Sequence, residues 1–130
     1  MKKLIVVEDD IITQKFYSIF FNKNGYQTII TDNGDKVFDA LMTEDIGLIL
    51  MDINLSNTYL NGEKIDGIQL ARYIKTDKIF KSIPLVLVTA YSLSNQIKQL
   101  VLDSKAEDII TKPILDYNQF LNKINTLIAS

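Results

Sequence analysis

The stretch from residue 48 to residue 55 constrains this chain most. Four apolar residues, ending at Met51, run without interruption into Asp52. Such a run is typical of a strand that is buried on both faces of a parallel sheet. Asp52 then lies at the carboxyl end of that strand, where open α/β sheets bind their ligands. A carboxylate at that place is either a turn cap or a functional group, and the rest of the chain decides between the two.

Apolar runs alternate along the chain with segments whose apolar residues recur at helical spacing. This alternation predicts an α/β fold, in which helices cover both faces of a five-stranded parallel sheet with right-handed crossovers. The predicted strands are residues 4–7, 26–31, 47–52, 85–89 and 108–111. One helix is predicted after each strand, the fourth over residues 93–102 and the fifth over residues 117–128.

Capping residues predict where several helices begin and end. Asp10 and Asp66 are suited to the N-caps of the first and third helices, and Gly25 suits the left-handed position after the first. Residues 56–65 are expected to form a polar loop. The residues expected to face the core are Ile12, Phe16, Ile19 and Phe20 in the first helix, Val37, Leu41 and Met42 in the second, Ile68, Ala71 and Ile74 in the third, Ile97, Leu100 and Val101 in the fourth, and Leu121, Ile124 and Ile128 in the fifth.

Composition excludes several classes of protein. With 130 residues, of which 47% are hydrophobic, the chain suits one domain over residues 1–130. The net charge of −2 gives no reason to expect nucleic-acid binding, and no apolar run is long enough to span a membrane. The lack of cysteine and histidine excludes disulfides, thiolate or imidazole metal sites and histidine-assisted nucleophiles. We expect a cytoplasmic protein, because the lack of cysteine favours an intracellular location and the apolar stretch after the two initial lysines is too short for a signal peptide.

Polar residues recur where the predicted strands end. Glu8 and Asp9 follow the first strand, Asp52 ends the third, Thr89 the fourth and Lys112 the fifth. Because all carboxyl ends of a parallel sheet lie on one edge, these side chains are expected to converge there. Clustered carboxylates favour a hard cation such as Mg²⁺, and the hydroxyl and ammonium groups suit phosphate oxygens. The set predicts phosphoryl transfer with Asp52 as the nucleophile.

Each of these residues also has a simpler interpretation. Acidic residues such as Glu8 and Asp9 stabilise the N-terminus of a helix through its dipole. Thr89 suits any strand, and Lys112 suits any solvated surface. The recurrence of such groups at successive strand ends favours the functional interpretation.

Five short motifs, taken in order, resemble those of response-regulator receiver domains, the flavodoxin-like family that includes chemotaxis regulators. The motifs are Val-Val-Glu-Asp-Asp at residues 6–10, Leu-Met-Asp-Ile-Asn-Leu at 50–55, Asp-Gly-Ile at 66–68, Val-Thr-Ala at 88–90 and Thr-Lys-Pro at 111–113. The resemblance covers essentially the whole chain. It implies a doubly wound sheet with strand order 2-1-3-4-5 and five helices.

The resemblance also implies roles for individual residues. Asp52 matches the phosphoryl acceptor, Asp9 the direct Mg²⁺ ligand and Glu8 a second acid that usually acts through a metal-bound water. Asn54 matches the position whose backbone carbonyl completes the metal site. Asp10 falls outside the usual acidic pair and is expected to act only as a cap.

Three further positions complete the implied site. Thr89 matches the hydroxyl that moves onto the phosphoryl group, and Ala90 matches the small residue that leaves room for it. Lys112 matches the phosphate-binding lysine, and the Lys112–Pro113 bond is expected to be cis.

The implied function is that of a two-component signalling switch. A histidine kinase or a histidine phosphotransfer protein would donate the phosphoryl group, since this chain has no histidine of its own. The face built from the fourth helix, the fifth strand and the fifth helix would then change its preference for an output partner. The chain would catalyse only its own phosphorylation and dephosphorylation. It is expected to be either a stand-alone regulator or a receiver cut from a longer hybrid protein.

The sequence departs from the family pattern at three places. Between Leu55 and Asp66 the family usually has a proline and two further residues, whereas this chain has ten, residues 56–65. Ile109 occupies the position of the usual switch aromatic. Lys105 replaces the glycine common before Ala106, so a local change in that turn is expected.

Two other functions compete with the switch. A Mg²⁺-dependent phosphatase would use the same aspartyl-phosphate but commonly has a second acid where this chain has Asn54, which cannot act as a general acid or base. A receiver-like scaffold that binds partners without phosphorylation is the main alternative, and the long loop and Ile109 favour it. Nucleotide binding is disfavoured because no glycine-rich phosphate loop is present.

Overall fold

The computed structural model describes residues 2–90 and 94–129, with the backbone alone for Ala129. The helices and strands of the described residues alternate along the chain. They are β1 (Lys3–Val7), α1 (Ile11–Lys23), β2 (Thr28–Thr31), α2 (Gly34–Thr43), β3 (Ile46–Asp52), β4 (Tyr59–Leu60), β5 (Glu63–Lys64), α3 (Gly67–Lys75), β6 (Leu85–Thr89), α4 (Asn95–Ser104), β7 (Asp108–Thr111) and α5 (Tyr117–Ala129). Among them, no helix is both long and apolar enough to cross a lipid bilayer.

Five parallel strands form the main sheet in the order β2-β1-β3-β6-β7. The predicted order 2-1-3-4-5 is confirmed, because β6 and β7 are the fourth and fifth strands of this sheet. The register pairs Val7 with Met51, Asp52 with Val88 and Thr89 with Thr111. The carboxyl ends of β1, β3, β6 and β7 therefore lie side by side.

Strand β3 is buried along its whole length, as its apolar run predicts. Its side chains alternate between two cores. Ile49 and Met51 pack under α2 and α3, whereas Leu48 and Leu50 pack under α1 and α5. The sheet is thus covered on both faces, which fixes β3 and the position of Asp52 at its end.

The predicted inner face of α1 is wrong for Ile12, Phe16 and Ile19, whereas Phe20 is half-buried against the core, as predicted. Ile12 and Ile19 are 78% and 69% exposed, and Phe16 is at the border of exposure, whereas Tyr17 and Phe21 are buried. Apolar residues line both sides of this helix, so two helical phases satisfy the spacing equally well. The larger aromatic side chains of the other phase fill the space beside the sheet and α5.

Two other helices differ in part from their predicted faces. Met42 of α2 is 72% exposed, and Ala40 takes the inward position in its place. In α4, Leu100 is exposed while Ile97 and Val101 are half-buried. The predicted inner faces of α3 and α5 match the structure, with Leu121 and Ile128 half-buried.

The boundaries of several elements also differ, and β1 and β3 each begin one residue earlier than predicted, at Lys3 and Ile46. Helix α4 begins at Asn95 after the N-cap Ser94, and residue 93, its predicted start, lies outside the described residues. Strand β2 begins at Thr28 rather than at residue 26.

The C-cap of α4 is Lys105 with a φ of 64°. The expected local change is therefore not in the backbone, because lysine adopts the left-handed conformation that glycine favours here.

The predicted polar loop at residues 56–65 contains a short antiparallel hairpin, β4–β5. Its buried residues, Thr58 and Ile65, could not be recognised from local composition. The hairpin docks on the start of α2, where the Asn61 amide donates to Asp35 Oδ1 at 3.0 Å. The segment is therefore a folded element rather than a solvated loop.

Candidate functional site

The carboxyl edge of the sheet brings together the residues that the sequence predicted there. Glu8 and Asp9 follow β1, Asp52 ends β3, Thr89 ends β6 and Lys112 follows β7. Glu8 is 1% exposed and Asp52 is 8% exposed. Two carboxylates buried at this depth need partners that offset the loss of their hydration.

Lys112 supplies the positive charge between these two acids. Its Nζ atom donates to Glu8 Oε1 at 3.1 Å and to Asp52 Oδ2 at 3.2 Å. Its backbone N–H donates to the Thr89 carbonyl at 2.7 Å, which joins the ends of β6 and β7. Lys112 is therefore an internal counter-ion that links three strand ends.

The other oxygen of Asp52 is held by the turn that follows β3. The Asn54 backbone N–H donates to Asp52 Oδ1 at 2.9 Å. The turn is fixed in its place, since Ile53 donates to the Val88 carbonyl and accepts from the Gly67 N–H. Both oxygens of the predicted phosphoryl acceptor are thus oriented by the fold.

Glu8 and Asp9 are oriented by different neighbours. The Asp9 backbone N–H donates to Glu8 Oε2 at 3.1 Å, and the Gln14 side chain of α1 donates to the Glu8 carbonyl. Asp9 Oδ2 accepts from both the N–H and the Oγ of Ser56. Sequence reasoning missed Ser56, because no local signal connects it with a residue far earlier in the chain.

The three acids fit a divalent cation. Glu8, Asp9 and Asp52 each offer one carboxylate oxygen, and these three atoms lie within 4.8 Å of one another. Three carboxylates are only partly balanced by Lys112, and hard oxygen ligands are those that Mg²⁺ prefers. The structure shows the backbone N–H of Asn54 bound to Asp52. The predicted role of Asn54 as a metal ligand concerns its backbone carbonyl.

Thr89 and Ala90 lie beside this cluster at the end of β6. Thr89 is buried and pairs with Thr111 in the sheet. Ala90 is exposed and, with Tyr17 and Lys112, lines an apolar cavity of about 400 Å³. The Lys112–Pro113 bond is cis, as predicted.

The amino-acid sequence matches the family model of the response regulator receiver domain over residues 4–125. This match covers most of the chain. The chain belongs to the response regulator receiver family.

Individual relatives agree with this assignment. The chain is 29% identical to the polar-differentiation response regulator DivK of Brucella anthropi over 113 residues, which are 87% of this chain and 85% of the relative. The corresponding Brucella ovis protein is 28% identical over the same length.

Solved receiver structures share the fold. The signal receiver domain of a signal transduction histidine kinase from Syntrophus aciditrophicus superposes with a TM-score of 0.83 at 24% identity, covering 99% of this chain and 91% of that one. The receiver domain of a sensor histidine kinase from Pseudomonas aeruginosa, solved with a magnesium ion in its active site cleft, gives 0.81 at 20% identity, covering 99% and 98%.

Burial and charge shift the pKa values within this receiver's acidic cluster. Burial, together with the neighbouring Asp52 carboxylate, raises the pKa of Glu8 from 4.5 to about 7, although Lys112 opposes the shift. Burial disfavours the charge on Lys112 itself, but Asp52 and Glu8 outweigh it and raise its pKa. In this receiver domain Lys112 is therefore charged, and Glu8 carries a proton over part of the neutral range.

Tyr17 is a second neighbour of the site that sequence reasoning missed. Its ring is buried, and burial, with smaller contributions from the Glu8 and Asp52 charges, raises the pKa of its hydroxyl. The signal that could have found it is the alternative helical phase of α1. Tyr17 forms part of the apolar wall beside the carboxylates.

Proposed function

We propose that this receiver domain accepts a phosphoryl group on Asp52 in a Mg²⁺-dependent reaction and thereby changes its partner binding. The observation that carries the proposal is the shared edge on which Glu8, Asp9, Asp52 and Lys112 converge. In the reaction, an oxygen of Asp52 attacks the phosphorus of a phosphohistidine and the imidazole leaves. The transferred group brings about −1.5 to −2 charges into the site.

Each neighbouring group has a role in this proposal. Glu8, Asp9, Asp52 and the Asn54 carbonyl would hold Mg²⁺, which supplies charge neutralisation at the phosphoryl oxygens. Lys112 already bridges two carboxylates and would exchange one of them for a phosphoryl oxygen. Thr89 would turn its hydroxyl to the same group.

The donor would be a histidine kinase or a histidine phosphotransfer protein. An apolar surface borders the site, because Ile12, Phe16 and Tyr117 line the same cavity as Lys112. Ile12 and Tyr117 are exposed. Exposed apolar patches of this kind mark interaction sites, so we assign this one, which includes the phosphate-binding candidate Lys112, to contact with the donor.

The output partner would bind to the face built from α4, β7 and α5. Ile109 of β7 is half-buried against the same core as Val101 and Ala106. An aliphatic side chain cannot make the swing of an aromatic ring, so the response is expected to rest on Thr89 and the chain that follows it.

Intact mass spectrometry tests the proposal. The protein is incubated with acetyl phosphate, with Mg²⁺ or with chelator, beside Asp52→Ala and the control Asn57→Ala, whose side chain is exposed. We expect one added phosphoryl group in the wild type and in Asn57→Ala, only with Mg²⁺, and none in Asp52→Ala. Equal labelling of Asp52→Ala would contradict the proposal.

A phosphorylation-independent scaffold is the second candidate. The observation that favours it is a cavity of about 580 Å³ between the β4–β5 hairpin, α2 and α3, whose lining does not include Glu8, Asp9 or Asp52. Magnesium titration separates the two functions, because a scaffold needs no metal at Asp9 and Asp52. Partner binding that is unchanged by Asp52→Ala would favour the scaffold.

A further inference from the structure

Ser56 makes an unusual pair of contacts with a carboxylate of the site. Its backbone N–H lies 2.8 Å and its Oγ 2.9 Å from the same atom, Asp9 Oδ2. The two residues are 47 positions apart, Asp9 just after β1 and Ser56 in the segment between β3 and β4. One residue thus holds one carboxylate oxygen with two donors.

Asp9 differs from the other two acids in the hydrogen bonding of its second carboxylate oxygen, Oδ1. Both oxygens of Glu8 accept hydrogen bonds, from Lys112 and from the Asp9 N–H, and both oxygens of Asp52 accept from Lys112 and from Asn54. Over residues 2–90 and 94–129, no hydrogen bond reaches Asp9 Oδ1. This atom is therefore available as a ligand without the loss of another bond.

The segment around Ser56 is anchored to the rest of the fold. Leu55 before it and Thr58 after it are buried, and the Ile65 N–H donates to the Thr58 carbonyl. The hairpin beyond is bound to α2 through Asn61 and Asp35. The donors of Ser56 are thus held in place by packing on both sides.

We infer that Ser56 is a positioning residue for the divalent cation, which fixes the Asp9 carboxylate and leaves Oδ1 as its coordinating oxygen. The inference rests on the metal site proposed above. Groups that orient a metal ligand typically contribute 10–100-fold to metal affinity. A residue without a backbone N–H, proline, could supply neither of the two donors.

Isothermal titration with Mg²⁺ tests this role on the full chain. Ser56→Ala removes the hydroxyl, Ser56→Pro removes both donors, and Ser56→Thr keeps both. Asn57→Ala is the matched control, since Asn57 is exposed in the same segment. We expect about 10-fold weaker Mg²⁺ binding in Ser56→Ala, a larger loss in Ser56→Pro, and near wild-type affinity in the other two.

The melting temperature of the metal-free variants separates positioning from folding. The inference predicts that Ser56→Ala melts near the wild type without metal and gains less from Mg²⁺. Ser56→Ala carries the test if Ser56→Pro does not fold. Equal or tighter Mg²⁺ binding in Ser56→Ala would overturn the inference alone, whereas a wild type that binds no Mg²⁺ would overturn the proposed metal site with it.

Amide hydrogen exchange gives a readout that needs no metal. The Ser56 amide should be protected in the wild type and should exchange faster in Asp9→Ala. Asp52→Ala removes a neighbouring carboxylate and should leave that protection in place. An unprotected Ser56 amide in the wild type would contradict the hydrogen bond on which the inference depends.

Discussion

At the residue scale, the site holds three carboxylates, and Lys112 balances their negative charge only in part. Glu8 and Asp52 share its ammonium group, and Asp9 depends on the neutral donors of Ser56. Removing either buried acid's partner would leave a charge without compensation, which is costly in a low-dielectric setting. This imbalance is what makes the cluster receptive to a cation.

The raised pKa of Glu8 predicts how stability depends on pH. In metal-free buffer the unfolded chain ionises Glu8 near pH 4.5, whereas the folded protein holds the proton up to about pH 7. The stabilising contribution of Glu8 to the free energy of unfolding is therefore fully present below pH 4.5 and is lost as the pH rises through 7. We expect Glu8→Gln to gain stability relative to the wild type between pH 5 and pH 8.

Chemical denaturation at a series of pH values measures this difference. The wild-type free energy of unfolding should fall over that interval more steeply than that of Glu8→Gln. Glu63→Gln is the control, since Glu63 is exposed in the hairpin. Parallel curves for the wild type and Glu8→Gln would show that Glu8 titrates normally.

Sequence reasoning at this scale found the residues that end strands. Glu8, Asp9, Asp52 and Lys112 could be placed on one edge, because the parallel topology alone brings strand ends together. Ser56 could not be found, since its contact depends on the path of the segment after β3, which no periodic pattern encodes.

At the element scale, the presence of each helix was predictable, whereas the side of the helix that faces the core was not always so. Helix α3 has one apolar face and a capping box between Asp66 and Gln69, so its face was correct. Helix α1 has apolar residues on two sides, and packing against α5 chose Tyr17 and Phe21 over Ile12 and Ile19. The β4–β5 hairpin was missed because only its docking on α2 stabilises two strands of this length.

The junction between β3 and α3 yields a prediction for Gly67. A Cβ atom at this position would lie 2.0 Å from the Asp52 carbonyl oxygen and 2.8 Å from the Ile53 Cα. Gly67→Ala therefore forces α3 away from the end of β3, at a cost of about 2 kcal/mol. Because the strain falls on the backbone of Asp52, the labelling rate with acetyl phosphate should fall as well.

Thermal unfolding and labelling kinetics of Gly67→Ala check both effects. Gly47→Ala is a useful comparison, because a Cβ there would meet mainly the Lys2 side chain near the start of the chain, at 3.0 Å. We expect a smaller loss of stability and no change in labelling for that variant. A Gly67→Ala protein as stable as the wild type would show that the junction relaxes freely.

At the scale of the whole molecule, the fold was the most predictable property. The wholly apolar Ile46–Met51 part of β3 requires cover on both faces, and alternating helices provide it in the order that right-handed crossovers impose. The sheet order and the convergence of strand ends follow from that. What the pattern leaves open is set by contacts between distant segments, such as the hairpin on α2.

Location of the phosphoryl group tests the central claim most directly. After reaction with acetyl phosphate and Mg²⁺, borohydride reduction converts an acyl phosphate into a stable alcohol, which peptide mass spectrometry can assign to one residue. The account predicts that Asp52 alone is converted, and only in the sample that contained Mg²⁺. Conversion of Glu8 or Asp9 instead, or of no residue in a folded protein that binds Mg²⁺, would contradict it.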